Sequence, residues 1–137
     1  MAHHHRQIGE VAERTGLSLR TIRYYEEVGL ITPSARSQGG FRLYTEEDIA
    51  RLGVVKAMKP LDFSLDEMRG LLESLDALSD DATDPARRGE ALEQLDMFQG
   101  AAEERCRALR RQLSIAEGFA DQLSSLSTQH KAANTPT

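Results

Sequence analysis

The stretch that decides the fold runs from Ser18 to Tyr44 and reads SLRTIRYYEEVGLITPSARSQGGFRLY. Its first half begins with a serine that can cap a helix, carries arginines and tyrosines on one helical face, and ends at Gly29. Its second half is short and basic and contains Gly39-Gly40, whose conformational freedom suits the tip of a β-hairpin. A short helix followed at once by a basic hairpin is typical of a winged helix-turn-helix that reads DNA.

The segment before Ser18 supplies the first helix of this motif. Apolar residues recur there at helical spacing and a glycine follows as a stop signal, at Ile8, Val11, Ala12 and Gly16. Two short helices joined by about three residues that include a glycine make a helix-turn-helix. In the hairpin we expect strands at residues 30–31 and 41–43, with positive φ at both tip glycines.

Two capping boxes, Thr45 with Asp48 and Ser64 with Glu67, predict a third and a fourth helix. Lys59-Pro60 should end the third helix, because proline lacks an N–H and disfavours helix just before it. The predicted buried positions are Ile49, Leu52, Val55 and Ala57 or Met58 on the third helix, and Leu65, Met68, Leu71, Leu72 and Leu75 on the fourth.

A long helix is predicted after Asp84-Pro85, which supply an N-cap and a first-turn proline. No proline follows until beyond Ser127, and roughly 40 residues of helix form a rod of about 60 Å. Such a rod cannot bury an apolar stripe against one small head, so its simplest partner is a second copy of itself. Apolar or small residues at heptad spacing define the expected dimer seam: Leu95, Ala102, Cys106, Leu109, Leu113, Ala116, Ala120 and Leu123.

These signals predict a mainly α fold, with a winged helix-turn-helix head, a small β-hairpin wing and a long dimerisation helix. Residues 79–84 are small and acidic, which is typical of a linker. We therefore expect a DNA-binding domain at residues 6–78, a linker at 79–84, a coiled-coil dimerisation helix at 85–127 and a disordered tail at 128–137.

The charge of the chain is divided unevenly. The net charge is −5, which is unusual for a protein that binds DNA. Residues 1–59 carry nine Lys and Arg against seven Asp and Glu, a net charge of +2, whereas residues 60–137 carry eight against fifteen, a net charge of −7. The surface that contacts phosphate should therefore be local and lie in the N-terminal part.

Composition excludes several classes of protein. Cys106 is the only cysteine among 137 residues, so no intramolecular disulfide can form, and we expect a cytoplasmic protein. No apolar run approaches the ~20 residues of a membrane helix, so no membrane partner is expected. The histidines lie at the chain ends and no Gly-rich phosphate loop occurs, so we predict no catalytic site, no cofactor and no enzyme activity.

The chain resembles the MerR family of bacterial transcription regulators over about residues 7–75. The motifs that carry the resemblance occur in the family's order and spacing: Ile8-Gly9-Glu10-Val11-Ala12, Thr21-Ile22-Arg23-Tyr24-Tyr25-Glu26, Gly29-Leu30 with Pro33, and Gly40-Phe41-Arg42-Leu43-Tyr44. The chain departs from the family at Asp62, where a glycine is common, and at Lys59-Pro60. Both differences concern the hinge between the third and fourth helices more than DNA reading.

The resemblance implies a homodimer whose long helices pair in an antiparallel coiled coil, and the chain looks like a compact member without a separate effector domain. Members of the family bind pseudo-palindromic sites in double-stranded promoter DNA. The spacer between the two elements of such a promoter is too long, and the regulator remodels the DNA so that the RNA polymerase holoenzyme can engage both elements. The alternative is a DNA-architectural or partner-recruiting dimer that does not activate a promoter.

The candidate DNA-binding residues lie on the second helix and in the wing. Arginines there can bind guanine or clamp phosphate. For Tyr25 we favour packing in the core. Arg42 and Tyr44 point to the same side of a strand and by resemblance grip the DNA backbone, although Tyr44 could instead cover Ile49. The full set is Ser18, Arg20, Thr21, Arg23, Tyr24, Arg36, Arg42 and Tyr44.

The signal to which such a regulator responds is open. Cys106 could be a thiolate that senses metal or oxidant, or a small buried residue on the dimer seam. Paired cysteines at the ends of the long helix are absent and His130 alone cannot complete a site, so we predict no metal. Three alternatives remain for this signal. They are an unidentified small-molecule effector, oxidation of Cys106, and control by abundance or a partner protein. The acidic runs at residues 26–27 and 46–48 are interpreted as a solvated helix end and a first helical turn.

Overall fold

The computed structural model describes residues 5–134 and is mostly helical. Its three strands form one antiparallel sheet in the order β1-β3-β2, and a 3-10 turn joins α3 to α4. The elements are β1 Arg6–Gln7, α1 Ile8–Thr15, α2 Leu19–Glu27, β2 Ala35–Arg36, β3 Arg42–Tyr44, α3 Glu46–Met58, the 3-10 turn Lys59–Leu61, α4 Leu65–Ser79 and α5 Pro85–Ala133.

The predicted helix-turn-helix is confirmed. Gly16 ends α1 with φ of +74°, a left-handed conformation that favours glycine, and its N–H donates to the Ala12 carbonyl. The Ser18 side chain accepts from the Thr21 N–H and caps α2. Ile22 and Tyr25 on α2 are buried, which confirms packing for Tyr25.

The prediction of a strand at residues 30–31 is wrong, because these residues complete the end of α2. Gly29 has φ of +80°, and its N–H donates to the Glu26 carbonyl at 3.1 Å. The Leu30 N–H donates to the Tyr25 carbonyl at 2.9 Å, which completes a Schellman motif. The apolar side chains of Leu30 and Ile31 are buried in the head, so their hydrophobicity serves the core and not a sheet.

The wing, defined here as residues 35–44, is a short hairpin of β2 and β3. Ala35 pairs with Leu43 and Arg36 with Arg42, so the second strand begins one residue later than expected. Of the two tip glycines, Gly40 has positive φ, at +82°, and Gly39 does not. The reason is that the tip is a turn in which the Gly40 N–H donates to the Ser37 carbonyl. The chain before α1 adds a third strand, β1, which pairs with β3. This strand was not predicted, because it has only two residues and forms through that pairing.

Both predicted capping boxes are present. The Thr45 side chain accepts from the Asp48 N–H while the Asp48 carboxylate accepts from the Thr45 N–H, and Ser64 and Glu67 are arranged in the same way. The head core lies beneath α2, α3 and α4 and includes most of the predicted positions, with Met58 and not Ala57 turned inward. Its large buried members include Val11, Ile22, Leu30, Tyr44, Leu52, Val55, Met68 and Leu72.

Asp62 ends the 3-10 turn in the left-handed region, with φ of +62°, and is the only non-glycine residue with positive φ within residues 5–134. This conformation costs an L-residue roughly 1 kcal/mol, which glycine avoids. We expect Asp62→Gly to stabilise the fold by about 0.5 kcal/mol after the greater freedom of the unfolded chain is counted. Asp62→Ala should destabilise it. Thermal unfolding of both variants at one protein concentration checks the prediction, and equal melting temperatures would contradict it.

The long helix α5 extends beyond the predicted end at residue 127. It continues to Ala133, because residues 128–133 contain no glycine or proline and end in helix-forming Lys131, Ala132 and Ala133. The prediction of a disordered tail is therefore wrong for residues 128–133, and residues 135–137 lie outside the described part. Contacts divide the chain into two compact units, with the boundary in the sequence between Phe98 and Gln99, so the first part of α5 belongs to the head.

Candidate DNA-binding surface

The exposed face of α2 carries two arginines that have no partner among the described residues. Arg20, Arg23 and Tyr24 lie at positions i, i+3 and i+4 and therefore share one face of the helix. Both arginines are exposed and make no hydrogen bond or ion pair within residues 5–134, and Tyr24 is 46% exposed. By contrast, Arg14 pairs with Glu46, and Arg51 with Asp76. Unpaired guanidinium groups on a short exposed helix can bind guanine or phosphate.

The start of α2 places Ser18 and Thr21 beside these arginines. The Ser18 hydroxyl donates to the Thr21 hydroxyl at 2.9 Å and accepts from the Thr21 N–H at 3.1 Å. The Ser18 hydroxyl is therefore engaged in capping the helix, although the residue is exposed. Direct DNA contact by Ser18 or Thr21 remains a prediction.

The wing lies beside α2 and shares a cleft with it. Arg23 from α2 and Gly40, Phe41 and Arg42 from the wing line a cleft of about 120 Å³. Phe41 is 64% exposed, and the Arg36 side chain is 56% exposed and donates to the Gly40 carbonyl at 3.2 Å. Phe41, whose ring is exposed, was not among the predicted DNA contacts. The sequence feature that could have indicated it is its position directly after two glycines at the tip of a hairpin.

Tyr44 is fully buried, so the prediction that it contacts DNA is wrong. Its hydroxyl donates to the Glu26 carboxylate at 3.0 Å, and the Arg42 Nε donates to the same carboxylate at 2.8 Å. Arg42 and Tyr44 do point to the same side, as their spacing predicted, but that side faces α2. Glu26, interpreted from sequence as part of a solvated helix end, has a side chain only 15% exposed.

The environment of Tyr44 predicts a loss of stability at high pH. Burial, with a smaller contribution from the Glu26 carboxylate, raises the pKa of Tyr44 to about 12, above its usual value near 10. The folded state therefore holds this proton more tightly than the unfolded state, and the stabilisation is complete below pH 10 and lost towards pH 12. We expect the free energy of unfolding to fall by on the order of 2 kcal/mol over that range.

Chemical denaturation at pH 9 and pH 11 measures this effect. Tyr44→Phe removes the ionisable hydroxyl and keeps the ring, so its stability should change less between the two pH values. A fall of the same size in Tyr44→Phe would contradict the assignment to Tyr44.

The family model described as "MerR HTH family regulatory protein" matches residues 6–75, which include α1, α2, the wing and most of α4. The chain belongs to the MerR family. Its helix-turn-helix is therefore the DNA-binding element of a family of transcription regulators.

Two relatives and one solved structure illustrate the MerR similarity. "Nodulation protein NolA" from Bradyrhizobium elkanii is 42% identical over 74 residues, which are 54% of this chain but only 34% of NolA. "HTH-type transcriptional regulator YfmP" from Bacillus subtilis is 41% identical over 96 residues, 65% of this chain and 69% of YfmP. HiNmlR, described as a MerR family regulator lacking the sensor domain and bound to promoter DNA, shares the fold. It has a TM-score of 0.67 and 23% identity, over 97% of this chain and 98% of HiNmlR.

The distal part of the MerR long helix carries exposed apolar side chains. On the predicted seam, Leu109, Leu113 and Leu123 are 45%, 58% and 50% exposed, and Ala116 and Ala120 are also exposed. Leu95, which belongs to the head unit, is half-buried. Ala102 and Cys106, which belong to the second unit, are also half-buried. The heptad assignment missed three further exposed apolar residues that widen the stripe: Ile115, Phe119 and Leu126.

Cys106 is a free thiol of intermediate exposure, and the choice between sensing and packing remains a prediction. Among the described residues, no group of three or more His, Cys, Asp and Glu side chains is arranged to hold a metal ion. Within the same part of the chain, no helix is both long and apolar enough to span a membrane.

Proposed function

We propose that this MerR protein is a homodimer that binds a pseudo-palindromic operator in double-stranded promoter DNA through α2 and the wing. The observation that carries the proposal is a pair of arginines, Arg20 and Arg23, on the exposed face of α2 beside the wing, which have no partner within residues 5–134. One such head covers only half of an operator, so specific reading of a palindrome needs two heads in a fixed arrangement.

The long helix supports the dimer. Its leucines at residues 109, 113 and 123 are about half exposed in one chain, and a second copy would remove them from water at roughly 25 cal/mol per Å² of apolar surface. A helix of this length with an open apolar stripe needs a partner, and an identical copy supplies a matching stripe.

Charge along the same helix favours antiparallel pairing. Residues 103–111 carry four Arg and two Glu, a net charge of +2, and residues 112–127 carry Glu117 and Asp121 with no Lys or Arg, a net charge of −2. Antiparallel helices place the basic segment of one chain beside the acidic segment of the other, whereas parallel helices place like charges together. The antiparallel arrangement expected from the family therefore has a physical basis in this sequence.

The proposed action on the promoter follows from the family resemblance. Two heads held on one face of the DNA can bend and untwist a spacer that is too long, so that the RNA polymerase holoenzyme engages both promoter elements. The deformation energy depends on the DNA sequence and couples the state of the dimer to transcription. The signal is an unidentified small-molecule effector, oxidation of Cys106, or a change in abundance or partner.

Selection of bound duplexes by the purified full chain from random double-stranded DNA tests the proposal. We expect an inverted repeat, bound by one dimer with a specificity ratio of roughly 10³ or more over random DNA. Binding that enriches no sequence and weakens steeply with salt would instead support the DNA-architectural dimer. The net charge of −5 favours the specific regulator, because an acidic chain gains little from sequence-independent attraction to phosphate.

A further inference from the structure

Glu26 joins the recognition helix to the wing through both oxygens of its carboxylate. The Arg42 Nε lies between the two oxygens, 2.8 Å from Oε1 and 2.7 Å from Oε2, and Oε2 also accepts from the Tyr44 hydroxyl at 3.0 Å. Arg36 lies 4.0 Å away on the outer side of the same carboxylate. Tyr44 is fully buried and the Glu26 side chain is 15% exposed, so the bond between them is largely shielded from competing water, whereas the Arg42 side chain is 36% exposed.

Beyond these bonds, β3 pairs with β1, and the Leu43 carbonyl accepts from the Ser34 N–H at 3.0 Å. The hydrogen bonds at the tip of the wing are internal to it. The Ser37 N–H donates to the Phe41 carbonyl, the Gly40 N–H to the Ser37 carbonyl, and the Phe41 N–H to the Ser37 hydroxyl. Among the described residues, both hydrogen bonds between β3 and α2 end on Glu26. The direct hydrogen bonds between β3 and α2 therefore depend on this one side chain, while the packing of Tyr44 and the pairing of β3 with β1 also position the wing.

The charge of Glu26 is otherwise unfavourable for a DNA-binding surface. Glu26 follows Arg23 by three residues, and a carboxylate beside a phosphate-binding face repels DNA. Its pairing with Arg42 offsets this repulsion. The same pairing engages the Arg42 guanidinium, so that Arg42 differs from Arg20 and Arg23, whose side chains have no partner among the described residues. The Glu26 carboxylate raises the pKa of the Arg42 guanidinium, which agrees with a close pair.

We propose that Glu26 is a positioning residue for DNA recognition, which holds the wing in register with α2, and that Arg42 acts through Glu26 and not on a phosphate. The inference rests on the proposed operator binding. A wing that is already fixed avoids the loss of conformational freedom on binding, so the cluster preorganises the surface.

A double-mutant cycle measures this role. The probe is the duplex that the wild-type full chain selects from random DNA, and the variants are Glu26→Gln, Arg42→Gln and the pair together. Glu13→Gln is the matched control, since Glu13 is an exposed carboxylate of α1 and its replacement changes the charge equally. Hydrogen exchange of the Ser37 and Gly40 amides reports the order of the wing, and that of α3 and α4 reports the fold.

We expect Glu26→Gln to weaken binding about tenfold, even though it removes a negative charge, while Glu13→Gln binds as tightly as the wild type or slightly more tightly. The double variant should lose about tenfold and not about a hundredfold, because both single changes break one unit. Wing amides should exchange faster in Glu26→Gln with α3 and α4 unchanged. Unchanged or tighter binding by Glu26→Gln, or single losses that multiply, would overturn the proposal.

Two other outcomes are distinguishable. If the wild-type chain selects no duplex, the proposed operator binding fails, and the exchange of the Ser37 and Gly40 amides still decides whether Glu26 orders the wing. If Glu26→Gln does not fold, Arg42→Gln and Tyr44→Phe each remove one of the two bonds, and faster wing exchange in both is then required.

Discussion

Arg23→Ala is expected to abolish specific DNA binding while the protein remains a folded dimer. Arg23 is exposed, has no partner among the described residues and faces the cleft between α2 and the wing. An arginine that binds a guanine edge in a bidentate way contributes roughly 1–3 kcal/mol of discrimination. A symmetric dimer loses this contribution twice, so the affinity for the selected duplex should fall about a hundredfold or more.

Fluorescence anisotropy with the selected duplex and a scrambled duplex measures the effect. Arg87→Ala is the control, because Arg87 lies on α5, outside the helix-turn-helix and the wing, and its side chain pairs with the exposed Glu90. The control should bind as the wild type does, and the circular dichroism of both variants should be unchanged. Wild-type affinity of Arg23→Ala for the selected duplex would remove Arg23 from the residues that read DNA.

Leu109→Asp is expected to dissociate the dimer. Leu109 lies on the predicted seam and is 45% exposed in one chain, so the substitution does not disturb a packed core. In the dimer it would bury an unpaired carboxylate, which costs roughly 3 kcal/mol or more, and the symmetry places two such groups in the seam. The dimer dissociation constant should therefore rise at least about a hundredfold.

Sedimentation velocity over a range of protein concentrations measures the dissociation constant. Ser114→Asp introduces the same charge about 140° around the helix from Leu109, on an exposed polar face, and should leave the dimer intact. A Leu109→Asp chain that sediments as a dimer at the same concentrations would mean that the heptad line is misassigned, and the wider stripe with Phe119 would then be the seam to test.

Helices were predictable from sequence because their ends are specified by local residues. Ser18, Thr45 and Ser64 each cap a helix through a backbone N–H three residues later, and Gly16 ends α1 by its own conformation. These interactions depend on a few neighbouring residues, so the sequence alone contains them. The head, the wing and the long helix followed from such signals.

The details of the wing and the role of Tyr44 were not predictable in this way. β1 and β2 have two residues each and exist through pairing with β3, between segments up to about 40 residues apart in the chain. The bonds of Tyr44 and Arg42 with Glu26 likewise span 18 and 16 residues. A pattern of alternating side chains shows that Arg42 and Tyr44 share a side, but it does not show which side faces α2.

The extent of the apolar stripe on α5 shows a further limit of pattern reading. A strict heptad search follows two lines of residues and finds Leu109, Leu113 and Leu123, but Ile115 and Phe119 lie outside those lines. The exposure of each side chain in the folded chain identifies them directly. Which of these residues a second copy would cover in the proposed dimer depends on the crossing angle of two helices, and the structure of one chain does not give that angle.

Genome-wide footprinting of the purified full chain on DNA from its host tests the central claim most directly. We expect one or a few protected pseudo-palindromes, each between the two elements of a promoter with a long spacer, with protection on one face of the DNA. Diffuse protection across the genome, without preference for promoters and with a steep dependence on salt, would contradict the claim that this MerR protein is a promoter-specific regulator.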